Sequence, residues 1–589
     1  MSVNSQPYVF MDTWAEQKGL FPSEIHLNFC GNEMVTELRR MFAIPDSNMF
    51  VTTFVVYTLL QSERIGFIKL NETMMDMAVD AILTYHDKNS DSDSGVYTFW
   101  PQVYNQSLGT YTEFPTNLIN LVDEYNKFED PAIWLADLFK KYKIVTDLKA
   151  FEQMLDSLQV AFRIPPDSDD TGCNLALGNV IANMAATHPY ISKTWQAANP
   201  NANKTIETIL RYAYRPFSSD VTTSTIDPRT YYVLHEFLED WTALGNNQDD
   251  LVLPGTWLMS LPQQAAYFPY LQMPFNVNNV DLSVSINTLF GLASSIIQNG
   301  AQLITQDVER MINSITSLIE WGVNSEIVYK RPDLALLYYP SIYDFSWFIS
   351  RVVDLLETEN QISPNALPPV LYNTLVSLRE LMMNNGTNQI LSRMQDNGKG
   401  GFYWYDFLGN DDTFFGVKEK YGEDLFFSSG LALNVLIDTW TVSSPDSVKR
   451  IWRSNTPAAV LAAVDGGVSH VVDNILKSQT QIYNAFFSGS MKGMTSFPYH
   501  YPMNFCQYVN GSTCSPTLAD PDAIVGAING VLPHDQYQAM LSMKWMNASV
   551  PVNWTSYNPD PFPYWSSSPL TYSINILALS KSLILEESH

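Results

Sequence analysis

Apolar residues recur along most of the chain at the three- and four-residue spacing of amphipathic helices, whereas the alternation typical of strands is scarce. Loops rich in Pro, Gly and Tyr separate these stretches. The pattern predicts helices over Met49–Gln61, Glu72–His86, Thr116–Tyr125, Leu148–Ala161, Asp170–Ala186, Tyr231–Ala243, Ser285–Gln298, Gln302–Trp321, Phe345–Glu357, Pro368–Met383, Leu425–Trp440, Pro457–Ser478 and Leu570–Leu583.

This succession of about a dozen helices predicts an all-α fold. The aromatic-rich texture runs from end to end without a Gly/Ser-rich or Pro-rich linker, so we expect one assembly over residues 1–589 with no internal domain boundary. An α/α toroid, in which helices pair in an inner and an outer ring, accommodates the pattern. A solenoid stays open as an alternative, although no repeat of fixed period is present.

The composition excludes several classes of function. The net charge of −28, from 61 acidic and 33 basic residues, repels the phosphates of nucleic acids and anionic membrane surfaces, so we expect no nucleic-acid partner. No apolar run of about 18 residues occurs, and we expect no transmembrane segment. Nucleotide-binding, dinucleotide-binding and serine-hydrolase motifs are absent, and the eight His residues lack zinc-ligand spacing. We therefore expect neither a cofactor nor a metal.

Two of the four cysteines lie close together in the sequence. Cys506 and Cys514 bracket a turn-rich segment that can bring them within bridging distance, which predicts a disulfide. Cys30 and Cys173 are expected to be buried thiols. The first residues lack the features of a signal peptide. We expect a soluble protein, and the disulfide favours a secreted or luminal location over a cytoplasmic one.

One acidic cluster lies in apolar surroundings, at residues 167–171, and it has an ordinary structural interpretation. Pro165 and Pro166 would end any preceding helix, and Asp167 could cap the helix that follows. Asp169 and Asp170 would then lie where the helix dipole favours negative charge. A helix start alone could therefore account for the cluster.

The same segment resembles the Asp-x-Asp-Asp-Thr-Ala box of the class II terpene cyclases and squalene–hopene cyclases. Gly172 stands where that box has Ala. The residues that fill the pattern are Asp167, Asp169, Asp170 and Thr171. A second segment, residues 279–289, is similar to the Ser-Val-Ser-x-Asn stretch that lies downstream of the box in that superfamily, with Asn287 at the Asn position. The resemblance is clearest over residues 160–293.

The resemblance implies a toroid of the terpenoid cyclase/prenyltransferase superfamily that cyclises a polyisoprenoid after protonating it. Asp169 would be the proton donor, held in place by Asp167 and Asp170. Protonation of an alkene requires an acid that stays neutral until use, and carboxyls crowded in an apolar cavity raise one another's proton affinity. The partner would be a small hydrophobic, isoprenoid-like ligand, and aromatic faces would stabilise the carbocation. The candidate substrate-binding residues are Trp257, Asn287, Tyr338, Tyr339, Phe402, Tyr403 and Trp404.

Two other functions stay open. An α/α-toroid glycoside hydrolase or polysaccharide lyase would need a second carboxylate, which Asp281, Asp344 or Glu423 could supply. A non-catalytic member of the same fold could store or carry a hydrophobic ligand in the same cavity. The sequence indicates no particular oligomeric state.

Overall fold

Helices joined by loops and small sheets make up the structure, a computed structural model. More than half of the described residues are helical. The structure describes residues 3, 17–28, 43–117, 163–267, 270–271, 276–339, 341–408, 410–414, 417–420, 422–443, 449–488, 501–508, 510–515, 524–543 and 562–586.

The α-helices vary from four to 21 residues in length. In chain order they are α1 (Met49–Ile65), α2 (Glu72–Leu83), α3 (Ser168–Asn183), α4 (Pro189–Ala198), α5 (Ala202–Arg211), α6 (Val221–Ser224), α7 (Pro228–Ala243), α8 (Leu261–Tyr267), α9 (Leu282–Asn299), α10 (Gln306–Asn324), α11 (Ile327–Lys330), α12 (Pro332–Ala335), α13 (Ile342–Ile362), α14 (Pro369–Leu381), α15 (Thr387–Ser392), α16 (Leu425–Trp440), α17 (Ala458–Asn474), α18 (His534–Leu541) and α19 (Ser568–Ser582). Short 3-10 turns lie at Gln248–Asp250, Ala301–Leu303 and Ile475–Lys477, and a π-helical turn at Met382–Gly386.

The strands are two to six residues long. They are β1 (Ser23–Asn28), β2 (Ile44–Asp46), β3 (Gln102–Asn105), β4 (Thr110–Glu113), β5 (Thr225–Ile226), β6 (Gln395–Asp396), β7 (Phe402–Tyr403), β8 (Asn410–Phe414), β9 (Val417–Lys420), β10 (Thr441–Ser443), β11 (Arg450–Trp452), β12 (Phe505–Tyr508), β13 (Ile524–Asn529), β14 (Phe562–Ser566) and β15 (Leu585–Glu586). Three sheets have the orders β14-β1-β2, β10-β11-β15 and β12-β13-β5, and three hairpins pair β3 with β4, β6 with β7 and β8 with β9. Within these sheets, the β11–β15 pair is parallel and the other pairs are antiparallel.

The structure confirms the helices predicted from the sequence. It corrects the expected all-α class to a mostly-α one, because small sheets are also present. Each predicted helix that falls on the described residues coincides with an observed helix, within a few residues at its ends. Those predicted at 116–125 and 148–161 lie mostly or wholly outside the described residues. The sheets were not predicted, because strands of so few residues give too little alternation to detect.

Six helices contact one another in a closed circuit. Helices α1, α3, α9, α13, α16 and α19 each pack against the next, and α19 packs against α1. Helix α16 is buried at every position, and α9 is buried from its first residue to Ile296. A helix that is apolar on all sides requires neighbours on all sides, which explains why these segments lie inside.

Other helices pack outside this circuit. Helix α2 contacts α1, α10 contacts α9, α14 contacts α13, and α17 contacts α16 and α19. Helix α10 shows the matching pattern, with buried residues on one side and polar residues on the other. Amphipathic helices of this kind therefore form the layer outside the circuit.

Hydrogen bonds join the starts of neighbouring inner helices. Just before α19, the Trp565 indole donates to the Asp46 carboxylate, which precedes α1, at 3.0 Å. Asp281, which caps α9, also accepts the backbone N–H of Leu337, ahead of α13. Because the dipole of each helix is positive at its start, carboxylates are stabilised there.

Helices α3 and α9 cross where both lack a side chain. A Cβ added to Gly172 would lie 2.7 Å from the carbonyl oxygen of Asn287, and one added to Gly291 would lie 2.6 Å from the carbonyl oxygen of Gly172. Both distances are shorter than a carbon–oxygen contact allows. Steric exclusion therefore explains the glycine at position 172.

One disulfide is present among the described residues. Cys506 and Cys514 are bonded, with their Cα atoms 5.2 Å apart, which confirms the predicted pairing. Cys173 is a buried free thiol, as expected. The expected fate of Cys30 lies outside the described residues.

Within the described ranges, one helical stretch, Ala458–Lys477, is long and apolar enough to cross a membrane by length and composition. It includes Asp465, His470 and Asp473. One of its faces packs on α16 and β7, and 39% of its apolar window is buried. This stretch is thus an outer helix of the assembly.

We expect Gly172→Ala to destabilise the protein by about 1–3 kcal/mol, because the methyl group would force α3 and α9 apart. Thermal unfolding measures the effect. Gly386→Ala is the matched control, since its added Cβ would meet only the flexible side chain of Met382. Equal melting temperatures for Gly172→Ala and the parent protein would contradict the close crossing.

Candidate active site

The acidic box forms the start of α3. Asp167 is its N-cap and accepts the backbone N–H of Asp170 at 2.6 Å. The extended residues ahead of the helix pair with a neighbouring loop, in which the Leu258 N–H donates to the Pro166 carbonyl at 2.8 Å. The prediction that Asp167 caps the following helix is therefore confirmed. It does not account for Asp169, whose side chain makes other contacts.

The side chain of Asp169 accepts hydrogen bonds from one side chain on α9 and from one in the loop before α13. The Asn287 amide on α9 donates to Asp169 Oδ1 at 2.6 Å. The Tyr339 hydroxyl, just before α13, donates to Asp169 Oδ2. All three residues are buried. The structure thus brings together the acidic box, the second family-like segment and one predicted aromatic residue.

Arg351 on α13 extends this network and was missed by the sequence analysis. Its guanidinium donates to Asn287 Oδ1, on the opposite side of the amide from Asp169. An arginine that follows the mostly apolar run from Phe345 to Ile349 and precedes two valines is the signal that could have revealed it. Arg351, Asn287, Asp169 and Tyr339 form a continuous buried chain, which we call the Asp169 network.

Five aromatic rings surround the guanidinium of Arg351. Its central carbon lies 4.5 Å from the ring centres of Phe290 and Phe348, and 5.0–5.9 Å from the other three. Those three are Phe54, Tyr57 and Trp347. Inside the circuit of helices, the faces of aromatic side chains therefore stabilise a buried positive charge.

The other two carboxyls of the box are buried beside Asp169. Among the described residues, Asp170 Oδ2 has no hydrogen-bond partner, and Asp170 is 1% exposed. Glu113, at the end of β4, is also 1% exposed, and its charge acts on Asp170. Four acidic groups therefore share a region with little access to water.

Burial outweighs the helix dipole at this cluster. It raises the pKa of Asp167 to about 7, although backbone N–H groups act in the opposite direction. The pKa of Asp169 is raised well above its usual range, first by burial and then by the charge of Asp167, while Asn287 and Arg351 oppose the rise. Burial, and then the charges of Asp167, Asp169 and Glu113, raise the pKa of Asp170 as well. The cluster therefore retains protons at neutral pH.

This arrangement can donate a proton. Burial and the charge of Asp167 favour the protonated form of Asp169, yet Tyr339 and Asn287 are placed to stabilise its carboxylate once the proton has left. Arg351 adds a positive charge behind Asn287. Across the described ranges, no three His, Cys, Asp or Glu side chains are grouped to hold a metal ion.

Two predicted aromatic residues lie next to the box. The backbone of Trp257 forms a β-bridge with Asp167, and its indole donates to the Tyr338 hydroxyl at 3.1 Å. Asn279, at the start of the second family-like segment, donates to the same hydroxyl at 3.0 Å. These residues support the position of Asp167.

The other three predicted aromatic residues lie elsewhere. Phe402 packs against Gly466 of α17, and the Tyr403 ring stacks on His470 at 5.1 Å. The Trp404 indole donates to the Ile390 carbonyl at 2.9 Å. Within the described contacts these side chains belong to the outer layer, and the structure does not bring them to Asp169. Helical spacing alone could not distinguish the two locations.

A cavity of about 250 Å³ opens beside the box. Pro165, Pro166 and Glu113 line it, together with several tyrosines, whereas Asp169 is not part of its lining. Asp169 instead faces the Tyr339 ring, which packs against Phe50 and Phe348. A ligand reaches Asp169 only if these rings move.

Comparisons of this chain with protein-family models, with curated proteins and with solved structures give no match.

We expect the melting temperature to fall as the pH rises from about 5 to about 8. Folded-state pKa values of about 7 for Asp167 and Asp424 and about 6 for Asp46 exceed the unfolded value of 3.8, so the folded chain binds more protons within this window. Stability is then lost as those protons dissociate.

Asp170→Asn should flatten this decline, because it removes a buried carboxyl whose folded-state pKa is raised well above its usual range. Thermal unfolding over the same pH range tests both statements. A melting temperature that is constant or rises between these two pH values would contradict the protonated state of the cluster.

Proposed function

We propose that this chain is an α/α toroid similar to the class II terpene cyclases, and that it cyclises a polyisoprenoid after protonating an alkene. One observation carries the proposal: the two segments that resemble the family meet through the hydrogen bond between Asn287 and Asp169. The closed circuit of six inner helices, with other helices packed outside it, supports the toroid.

Asp169 is the proton donor in this proposal. Its proton passes to one carbon of the alkene, whose π electrons form the new C–H bond, and the other carbon becomes a carbocation. The Asp169 carboxylate that remains is stabilised by Tyr339 and Asn287, with the charge of Arg351 behind them. Loss of a proton from the cyclised cation ends the reaction, and Asp169 must be protonated again.

Aromatic faces are available for the carbocation. Tyr339 contacts Asp169 and packs against Phe50 and Phe348, so the faces of these rings can stabilise a carbocation that forms near Asp169. Such a cation has no hydrogen-bond partner, which makes ring faces its main source of stabilisation. The substrate would be a small hydrophobic polyisoprenoid that displaces some of these rings.

A glycoside hydrolase or polysaccharide lyase is the second candidate, and the cavity of about 250 Å³ favours it. Tyr111, Tyr212 and Tyr267 line this cavity together with Glu113. Burial raises the pKa of Glu113 well above its usual range, as a general acid requires. Of the second carboxylates considered from the sequence, Asp281 accepts the backbone N–H groups of Ser283 and Val284 at the start of α9 and that of Leu337 ahead of α13.

We expect Asp169→Asn to lower product formation by about 10²–10⁴-fold while the protein stays folded, because the amide has no proton to transfer. The test incubates the purified protein in D₂O with squalene and, separately, with prenyl diphosphates, followed by mass spectrometry. A cyclic product that carries one deuterium at the protonated carbon is expected. Asp240→Asn, at an exposed position on α7, is the matched control.

Cyclisation without deuterium incorporation, or an Asp169→Asn variant as active as the parent, would overturn the proposal. Bound but unchanged isoprenoid would favour a carrier. Cleavage of a polysaccharide that Glu113→Gln abolishes and Asp169→Asn does not would favour the second candidate.

A further inference from the structure

A hairpin closed by the Cys506–Cys514 disulfide carries the triplet Asn510-Gly511-Ser512. This triplet has the Asn-x-Ser pattern that accepts N-linked glycans in secreted proteins. The sequence contains seven Asn-x-Ser/Thr triplets, and so short a pattern is frequent by chance. The structure around each triplet is therefore needed to tell which of them suits modification.

The disulfide and backbone hydrogen bonds hold this hairpin together from its base to its turn. At the base, the Cys514 N–H donates to the Cys506 carbonyl at 3.1 Å, in addition to the bond between the two sulfurs. Nearer the turn, the Tyr508 N–H donates to the Ser512 carbonyl at 2.7 Å. Asn510 therefore lies in the turn at the tip of the hairpin.

The tip of the hairpin projects into solvent. Every residue from Asn510 to Thr513 is exposed. Gly511 has a φ of 85°, in the left-handed region that favours glycine and that a tight hairpin turn requires. An oligosaccharide attached at the tip would extend into solvent and displace no packed side chain.

The side chain of Asn510 is oriented by the third residue of its own triplet. Asn510 Oδ1 accepts the Ser512 N–H at 2.9 Å and the Ser512 hydroxyl at 2.6 Å. Among the described residues, none accepts a hydrogen bond from Asn510 Nδ2. The oxygen of the amide is therefore fixed, while the nitrogen that a glycan would occupy is accessible.

Two other triplets use the same groups inside the fold. The Nδ2 groups of Asn203 and Asn385 donate to neighbouring side chains at 2.5 Å and 2.7 Å. Thr205 and Thr387, the third residues of these triplets, are only 1% and 3% exposed. A glycan at either position would replace a hydrogen bond of the folded chain, which a glycan on Asn510 would not.

Two further triplets are nearer the surface but are arranged differently. Asn71 caps α2, and Thr73 lies in the first turn of that helix. In the turn between β3 and β4, Asn105 Oδ1 accepts backbone N–H groups, one of them from Ser107. In neither of these described triplets does the hydroxyl of the third residue donate to the Asn side chain. The last two triplets of the sequence lie outside the described residues.

We propose that Asn510 is the acceptor of an N-linked glycan. In the transfer, Nδ2 forms a bond to the anomeric carbon of an oligosaccharide carried on a lipid diphosphate, the bond from that carbon to the diphosphate breaks, and Nδ2 loses one proton. Disulfides form in the oxidising, luminal environment through which secreted glycoproteins pass, so the bond at the base of the hairpin supports modification at its tip. The proposal does not depend on the reaction assigned to Asp169.

Mass spectrometry of the full chain, secreted from cultured eukaryotic cells, tests it. Peptide N-glycosidase in H₂¹⁸O converts a glycosylated Asn to an Asp that carries one ¹⁸O, and digestion with chymotrypsin then isolates the segment around position 510. We expect the ¹⁸O label at position 510 in the parent protein. Asn510→Gln should remove the mass of one glycan from the intact protein and leave the melting temperature of the deglycosylated chain unchanged, because the tip is exposed.

Ser512→Ala and Ser512→Thr form a matched pair. Both variants keep Asn510, but only Ser512→Thr keeps the hydroxyl that the acceptor pattern requires. We expect Ser512→Ala to lose the label at position 510 and Ser512→Thr to retain it. An unlabelled Asn510 in the secreted parent protein, or a Ser512→Ala variant labelled as fully as the parent, overturns the proposal. Because the readout is the mass at one position, these outcomes are independent of whether any isoprenoid is cyclised.

Discussion

The candidate active site depends on the close approach of α3 and α9. Only glycine at positions 172 and 291 lets the two backbones come so near. That contact brings the Asn287 side chain within 2.6 Å of Asp169, and Asn287 in turn links Asp169 to Arg351. A methyl group at the crossing would therefore affect both packing and the polar network, since the same backbone contact supports both.

Charge is distributed along the ring according to the direction of its helices. Buried carboxylates such as Asp46, Asp167 and Asp281 lie at the amino-terminal ends, where the dipoles are positive. The cations Arg64 and Lys581 lie in the last turns of α1 and α19. The dipoles alone do not set the protonation states, however, because burial raises the pKa of Asp167 to about 7 despite them. Desolvation is thus the larger effect where the carboxyls crowd together.

Arg351 connects the two ends of the ring. One part of its guanidinium donates to Asn287, and its side chain also lines a cavity of about 210 Å³ at the opposite end of the circuit from the helix starts. Five aromatic rings surround the guanidinium, so ring faces stabilise its charge in addition to the Asn287 amide.

The sequence by itself determined the helices, their order, the helix cap at Asp167 and the Cys506–Cys514 pair, because these depend on local periodicity and short spacing. It also singled out Asp169, Asn287 and Tyr339, but not that they touch. Only the tertiary structure decided that contact, the role of Arg351 and the separation of Phe402, Tyr403 and Trp404 from the acid. A helical pattern indicates which face of a segment is buried. Which helix covers that face depends on the packing of segments more than a hundred residues apart in the sequence, as for Asp169 and Asn287.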